Sequence, residues 1–182
     1  MPGSRDPDLD QLINNGAIRL EITGGIPTWE AFPGLRHQET IDLIRASISP
    51  TADSTTGCSC AHYSDVLIRF KDGSLKLPDI AVFCARPPRE DEALTTVPSA
   101  VIEVVSPGYE YKDLSLNPQF YLAQDVDDVV IVDPRSGVVT HYRTTHVAVH
   151  QAPVTVTLLC GCQCVVPMVD SMSQSNTGTE PT

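Results

Sequence analysis

Two short runs constrain this chain most: LPDIAVFCA at 77–85 and PSAVIEVVS at 98–106, both rich in Val, Ile and Ala. Runs this short, bounded by Pro and Ser, read as strands, and their lack of polar alternation predicts that both faces of each are covered. Each is interrupted by a single carboxylate, Asp79 in the first and Glu103 in the second. Burying an ionised carboxylate costs on the order of several kcal/mol unless it is paired, hydrogen-bonded or bound to a cation. If the two strands are neighbours, Asp79 and Glu103 can converge on one divalent metal, which as Mg²⁺ takes oxygen ligands and keeps waters for substrate phosphates. The competing reading pairs each carboxylate with an arginine or leaves it at the sheet edge.

The flanking sequence supplies a setting for these strands. A short helix is expected over residues 6–16, capped by Asp6 and ended by Gly16. AIRLEI, GG and IPTWEAF read as a hairpin, which puts Glu21 on a strand. Ile41, Ile44 and Ile48 recur at helical spacing, so 36–48 is an amphipathic helix with His37 in its first turn. Residues 49–62 read as a loop. Val66, Ile68 and Phe70 lead into a KDG turn, with a return strand beginning near Leu77. DLSLNPQFYLAQ is an interrupted helix in which Asn117, just before Pro118, is expected as a cap. DDVVIVDPRSGVVTHYR is a hairpin turning at PRSG, with Asp133 starting the turn, and 146–159 adds further strand. The reading is of one domain over 1–170 and a disordered tail over 171–182.

Composition narrows the function. Twelve Lys and Arg against 23 Asp and Glu give a formal net charge of -11, which disfavours nonspecific adhesion to nucleic acid. No apolar run approaches the roughly 20 residues needed to cross a bilayer, and MPGSRDPDLDQL lacks the features of a secretory signal. A cytoplasmic location is the expectation, with the six cysteines held reduced. Cys58, Cys60 and His62 form CxCxH, and Cys160, Cys162 and Cys164 form CxCxC. Structural zinc sites more often space their cysteines by two to four residues. The cysteines therefore read first as packing and loop residues, and joining both clusters at one zinc would require a tertiary contact.

The succession LPDIAV, AVIEVVSP, KD, QFY and VIVDP, with LEITGG and RHQ upstream and LLCGC downstream, resembles the Uma-two family of restriction-endonuclease-like proteins, within the PD-(D/E)XK nuclease superfamily. The resemblance runs from about residue 17 to 170. It implies an α/β (α+β) fold, a restriction-endonuclease-like mixed β-sheet flanked by helices. It also implies that Asp79 and Glu103 hold Mg²⁺ or Mn²⁺ for DNA cleavage, with Glu21 a supporting acid. A homodimer is compatible with such a protein, because cutting a duplex means addressing two strands.

The chain departs from that pattern at the lysine. The superfamily position two residues after the glutamate is Val105, and the position from which family members usually supply lysine, between Asp113 and Tyr121, is Asn117. An amide cannot provide the positive charge that helps orient and activate water beside a phosphate. Lys112 is a candidate substitute, although on a continuous helix it lies about 140° around from position 117. Two functions follow: a metal-dependent endonuclease at Asp79 and Glu103, or a catalytically inactive nuclease-fold binding or assembly module. A zinc-stabilised structural protein is a third.

Overall fold

The computed structural model describes residues 18–168 apart from 54, 56, 107 and 109–111, and only the backbone of Lys112 and Asp113. The helix expected over 6–16 and the tail expected over 171–182 lie outside the described residues. The elements run β1 (Ile18–Thr23), β2 (Ile26–Ala31), α1 (Leu35–Ser47), β3 (Ser49–Pro50), β4 (Ala61–Tyr63), β5 (Ile68–Arg69), β6 (Leu75–Lys76), β7 (Ile80–Phe83) and β8 (Ala100–Val104). A π-helical turn (Lys112–Leu116) then leads into α2 (Asn117–Ala123), followed by β9 (Asp128–Val132), β10 (Val138–Arg143), β11 (His146–Gln151), β12 (Val154–Thr157) and β13 (Cys162–Val166).

The two apolar runs are β7 and β8, and they pair antiparallel as interior strands of a six-stranded sheet ordered β11-β10-β9-β8-β7-β4. β8 and β9 pair in parallel, joined by the segment that carries α2, as a parallel pair requires a crossover. Alternation splits the sheet's side chains between two cores. Ile80, Val82, Ile102, Val104, Val130 and Val132 face α1 and a three-stranded sheet ordered β12-β13-β3. Ala81, Phe83, Val101, Val105, Val129 and Ile131 face the side of α2, where Tyr121 is completely buried. Covering both faces explains why β7 and β8 lack polar alternation.

β1 and β2 form the expected hairpin, with Gly24 and Gly25 both at positive φ in its two-residue turn. β1 also pairs with β6, placing the hairpin in a four-stranded sheet ordered β2-β1-β6-β5. The return strand is shorter and earlier than expected, two residues at Leu75–Lys76, and the chain bends through Pro78 before β7. The π-helical turn before α2 replaces the continuous helix assumed for Lys112. No helix among the described residues is long and apolar enough to cross a membrane.

Candidate active site

The β7–β8 register sets the geometry. Ile80 faces Ile102, so one step outward places Asp79 opposite Glu103. Their backbone and side chains bond crosswise: the Asp79 amide donates to Glu103 Oε2 at 3.1 Å, and the Val104 amide donates to Asp79 Oδ2 at 2.8 Å. Both carboxylates are buried, at 4% and 6% exposure, and so need the partners that the apolar strands cannot offer. Tyr121 on α2 donates its hydroxyl to Glu103 Oε1 at 2.8 Å. Burial, with the nearby Glu103 charge, holds the Tyr121 phenol well above its ordinary range, so it stays a donor.

Asp79 is gripped from two other elements. Arg19 on β1 donates from one guanidinium nitrogen to Asp79 Oδ1 at 2.9 Å, from the other to Asp65 at 2.9 Å, and also bonds the Leu77 carbonyl. His37 in the first turn of α1 places Nε2 at 2.8 Å from the Val104 carbonyl and 3.2 Å from Asp79 Oδ2. The carbonyl can only accept, so Nε2 carries a proton, and Nδ1 is buried with no hydrogen-bond partner among the described residues. Burial works to lower the His37 pKa, but the Asp79 carboxylate and the Val104 carbonyl outweigh it and leave it raised. Burial likewise works to raise the Asp79 pKa, and His37, Arg19 and the Val104 amide reverse it.

A second cation lies beside the first strand. Ile22 faces Leu75, so Glu21 stands opposite Lys76 across the β1–β6 pair. Lys76 is 2% exposed, and its ammonium donates to Glu21 Oε2 at 2.7 Å and to Asn117 Oδ1 at 3.0 Å. It also lies 5.4 Å from the Phe120 ring centre and 5.8 Å from that of Tyr121, both on α2. Glu21 Oε1 accepts from the Leu77 amide at 2.9 Å, which fixes the carboxylate that fixes the lysine. Glu21 is thus buried and paired rather than the solvent-facing member of an alternating strand.

Asp79, Glu103 and Glu21 therefore occupy one connected network, with His37 and Tyr121 as direct partners. Asn117 does not cap α2: it is the first helical residue, the capping position is Leu116, and its side-chain oxygen is spent on Lys76. The Lys112 side chain lies outside the described residues. Sequence reasoning missed Arg19 and the place of Lys76. Their signal was the +/− alternation of Arg19 and Glu21 and the lysine just before Leu-Pro-Asp, which become meaningful only once β1 and β6 are known to pair. Asp133 starts a turn as expected, bonding the Arg135 amide and the Ser136 hydroxyl. Val129 and Val130 are buried strand residues.

A mixed central sheet with a helix against each face, and two carboxylates opposed across its β7–β8 antiparallel pair, defines an α+β protein of nuclease-like architecture. The family model described as "Uma2: Putative restriction endonuclease" matches residues 6–161, and the chain belongs to that family. Among solved structures it is similar to "a putative nuclease belonging to DUF820" from Anabaena variabilis, with 22% identity and a TM-score of 0.58 over 76% of this chain and 80% of that one. That likeness is one of fold. No curated protein matches the chain.

Proposed function

We propose that the chain is a metal-dependent endonuclease that hydrolyses DNA phosphodiester bonds, with Asp79 and Glu103 holding Mg²⁺ or Mn²⁺. The observation that carries this reading is the crosswise bonding of Asp79 and Glu103, which holds two buried carboxylates side by side on adjacent strands. The donor set fits a small divalent cation. Charge balance favours it as well: Glu21, Glu30, Asp65, Asp79 and Glu103 gather around two permanent cations, Arg19 and Lys76. When bound, such an ion polarises a phosphodiester and lowers the pKa of a bound water.

The chain's own groups have separable tasks. Tyr121 and the Asp79 amide fix the Glu103 carboxylate, and His37 and the Val104 amide fix Asp79. Arg19 offsets part of the Asp79 charge by donating to its Oδ1, and its second nitrogen is committed to Asp65 and the Leu77 carbonyl. Lys76 supplies the ammonium that the family pattern would place at position 117, and Asn117 steers it by accepting its hydrogen bond. Glu21 holds the other side of that ammonium, so it supports the lysine rather than serving as a third metal ligand. The ammonium also donates to Thr23 Oγ1 at 3.5 Å, so its contribution is a fixed positive charge that stabilises negative charge developing at the site.

Nicking of supercoiled plasmid with Mg²⁺ or Mn²⁺ tests this reading. The wild type should cut, chelator should stop it, and Asp79→Asn and Glu103→Gln should each lose at least about a hundredfold in rate while remaining folded. One observation favours the alternative of an inactive binding or assembly module: Arg19 already bonds the Asp79 oxygen that an ion would share. Absence of cutting by wild type on varied DNA would establish that alternative over the nuclease.

A further inference from the structure

Five of the six cysteines meet at one place, far from the carboxylates. Asp79 immediately precedes β7 and Cys84 immediately follows it, so the two sites lie at opposite ends of the same strand, roughly 17 Å apart at about 3.3 Å per residue. The sulfurs of Cys58, Cys84 and Cys160 lie within 4.8 Å of one another, and so do those of Cys58, Cys60 and Cys162. Cys58 belongs to both groups, and its sulfur is 3.3 Å from that of Cys162. Cys60 and Cys162 are joined as a disulfide, while Cys58, Cys84 and Cys160 lie outside it.

The convergence is built by three separate segments. The Cys58–Cys60 loop is tied to the end of β7 by the Ser59 amide and hydroxyl, both donating to the Cys84 carbonyl at 2.8 Å. Cys160 and Cys162 flank Gly161 in the turn that starts β13. Cys60 holds a left-handed backbone, φ +47°, which a residue with a Cβ adopts at a cost of on the order of 1 kcal/mol. His62, the third member of CxCxH, turns its ring nitrogen to the Cys60 carbonyl at 2.8 Å, so it belongs to the backbone of the loop and not to the sulfur group.

We propose that, with its thiols reduced, this cluster is a structural zinc site ligated by Cys58, Cys84, Cys160 and Cys162. A tetrahedral ion with Zn–S bonds of about 2.3 Å places its sulfurs about 3.8 Å apart; Cys58, Cys84 and Cys160 already gather as a triplet within 4.8 Å, and Cys162, 3.3 Å from Cys58, is the sulfur that reduction of the disulfide would release to complete the set. A disulfide uses two sulfurs, whereas the fold gathers five, three of them outside the disulfide and one of these, Cys84, on a third segment that the disulfide does not reach. Zinc would pin the edge of the six-stranded sheet, β4 and β7, to the three-stranded sheet at β13. Cys164 is buried two residues further along β13, outside both groups, and serves as the internal control.

The test is zinc content of the full chain purified with a phosphine reductant and no chelator. About one zinc per chain is expected, retained by Cys164→Ser and lost from Cys58→Ser, Cys84→Ser and Cys160→Ser. Should those variants fail to fold, Co²⁺ titration of metal-stripped wild type replaces them, with a thiolate-to-cobalt charge-transfer band expected. Reduced wild type with no zinc and no such band would overturn the proposal. So would a Cys60–Cys162 disulfide that persists in the reductant, or zinc that survives the three serine variants. Because none of these readouts involves DNA, they stand apart from the fate of the nuclease reading.

Discussion

Tyr121 commits its hydroxyl to Glu103 and packs its ring against Phe70 and Phe120, so its position is fixed by apolar contacts and its chemistry by one hydrogen bond. Groups that orient metal-holding carboxylates in this way typically contribute 10–100-fold to metal affinity. Tyr121→Phe keeps the packing and removes only the donor. Calorimetric titration with Mn²⁺ should therefore show binding weaker by about tenfold; unchanged affinity would mean that Glu103 needs no such support. Lys76 is the harder residue to alter, because removing one member of a buried ion pair costs about 3–5 kcal/mol. Lys76→Met should lower stability by an amount in that range, measured by urea denaturation, whereas a solvent-exposed lysine would cost almost nothing. Asp79 and Glu103 were legible in the sequence because each broke an apolar run, a local signal. Lys76 was not, because its partners Glu21 and Asn117 are 55 and 41 residues away, and nothing in KLPD says which strand will lie beside it. Asn117 shows the converse: its local sequence argues for a cap, and the tertiary contact with Lys76 prevails.

The elements that read most clearly were those with a strong period or a turn signal: the β1–β2 hairpin at Gly24–Gly25, α1, β7, β8 and the β9–β10 hairpin. What failed was the region where two short sheets are stitched together. β5 and β6 are two residues each, too short for alternation to register, and β3 exists only because β13 lies beside it. Joints of this kind are held by polar anchors, of which Asp128 is the best defined. Fully buried on β9, it accepts from His141 Nε2 at 2.7 Å, Arg143 Nε at 2.6 Å and the Leu159 amide at 2.6 Å, joining β9 and β10 to the turn after β12. Burial alone would raise its pKa, but these three donors outweigh it and leave it below the ordinary 3.8. A carboxylate whose folded pKa is depressed stabilises the fold above the unfolded value and loses that contribution as pH falls through the folded one. Asp128→Asn should accordingly be less stable than wild type at neutral pH, and the gap in denaturation free energy should close as pH is lowered below about 3.8. A gap independent of pH would show that the charge of Asp128 is immaterial and only its shape matters.

For the molecule as a whole, two sites sit at the two ends of β7, one built of carboxylates and cations, the other of sulfurs. Each is assembled from segments that only the complete topology brings together, which explains why the sequence offered two separated CxC patterns and no indication that Cys84, at the end of an apolar run, would join them. The net charge of -11 is concentrated in part at the acidic site itself, where five carboxylates surround Arg19 and Lys76, and for the nuclease proposed above it predicts DNA binding that weakens steeply as salt rises. In the proposed nuclease the lysine of the hydrolytic site stands at position 76, not at position 117. The measurement that tests it most directly is single-turnover DNA cleavage by wild type, Lys76→Gln and the relocated pair Lys76→Gln/Asn117→Lys, each verified as folded by its melting curve. Lys76→Gln is expected to lose about 10²–10⁴ in rate, and returning lysine to position 117 to restore cutting to within about tenfold of wild type. Cleavage by folded Lys76→Gln at the wild-type rate would contradict it.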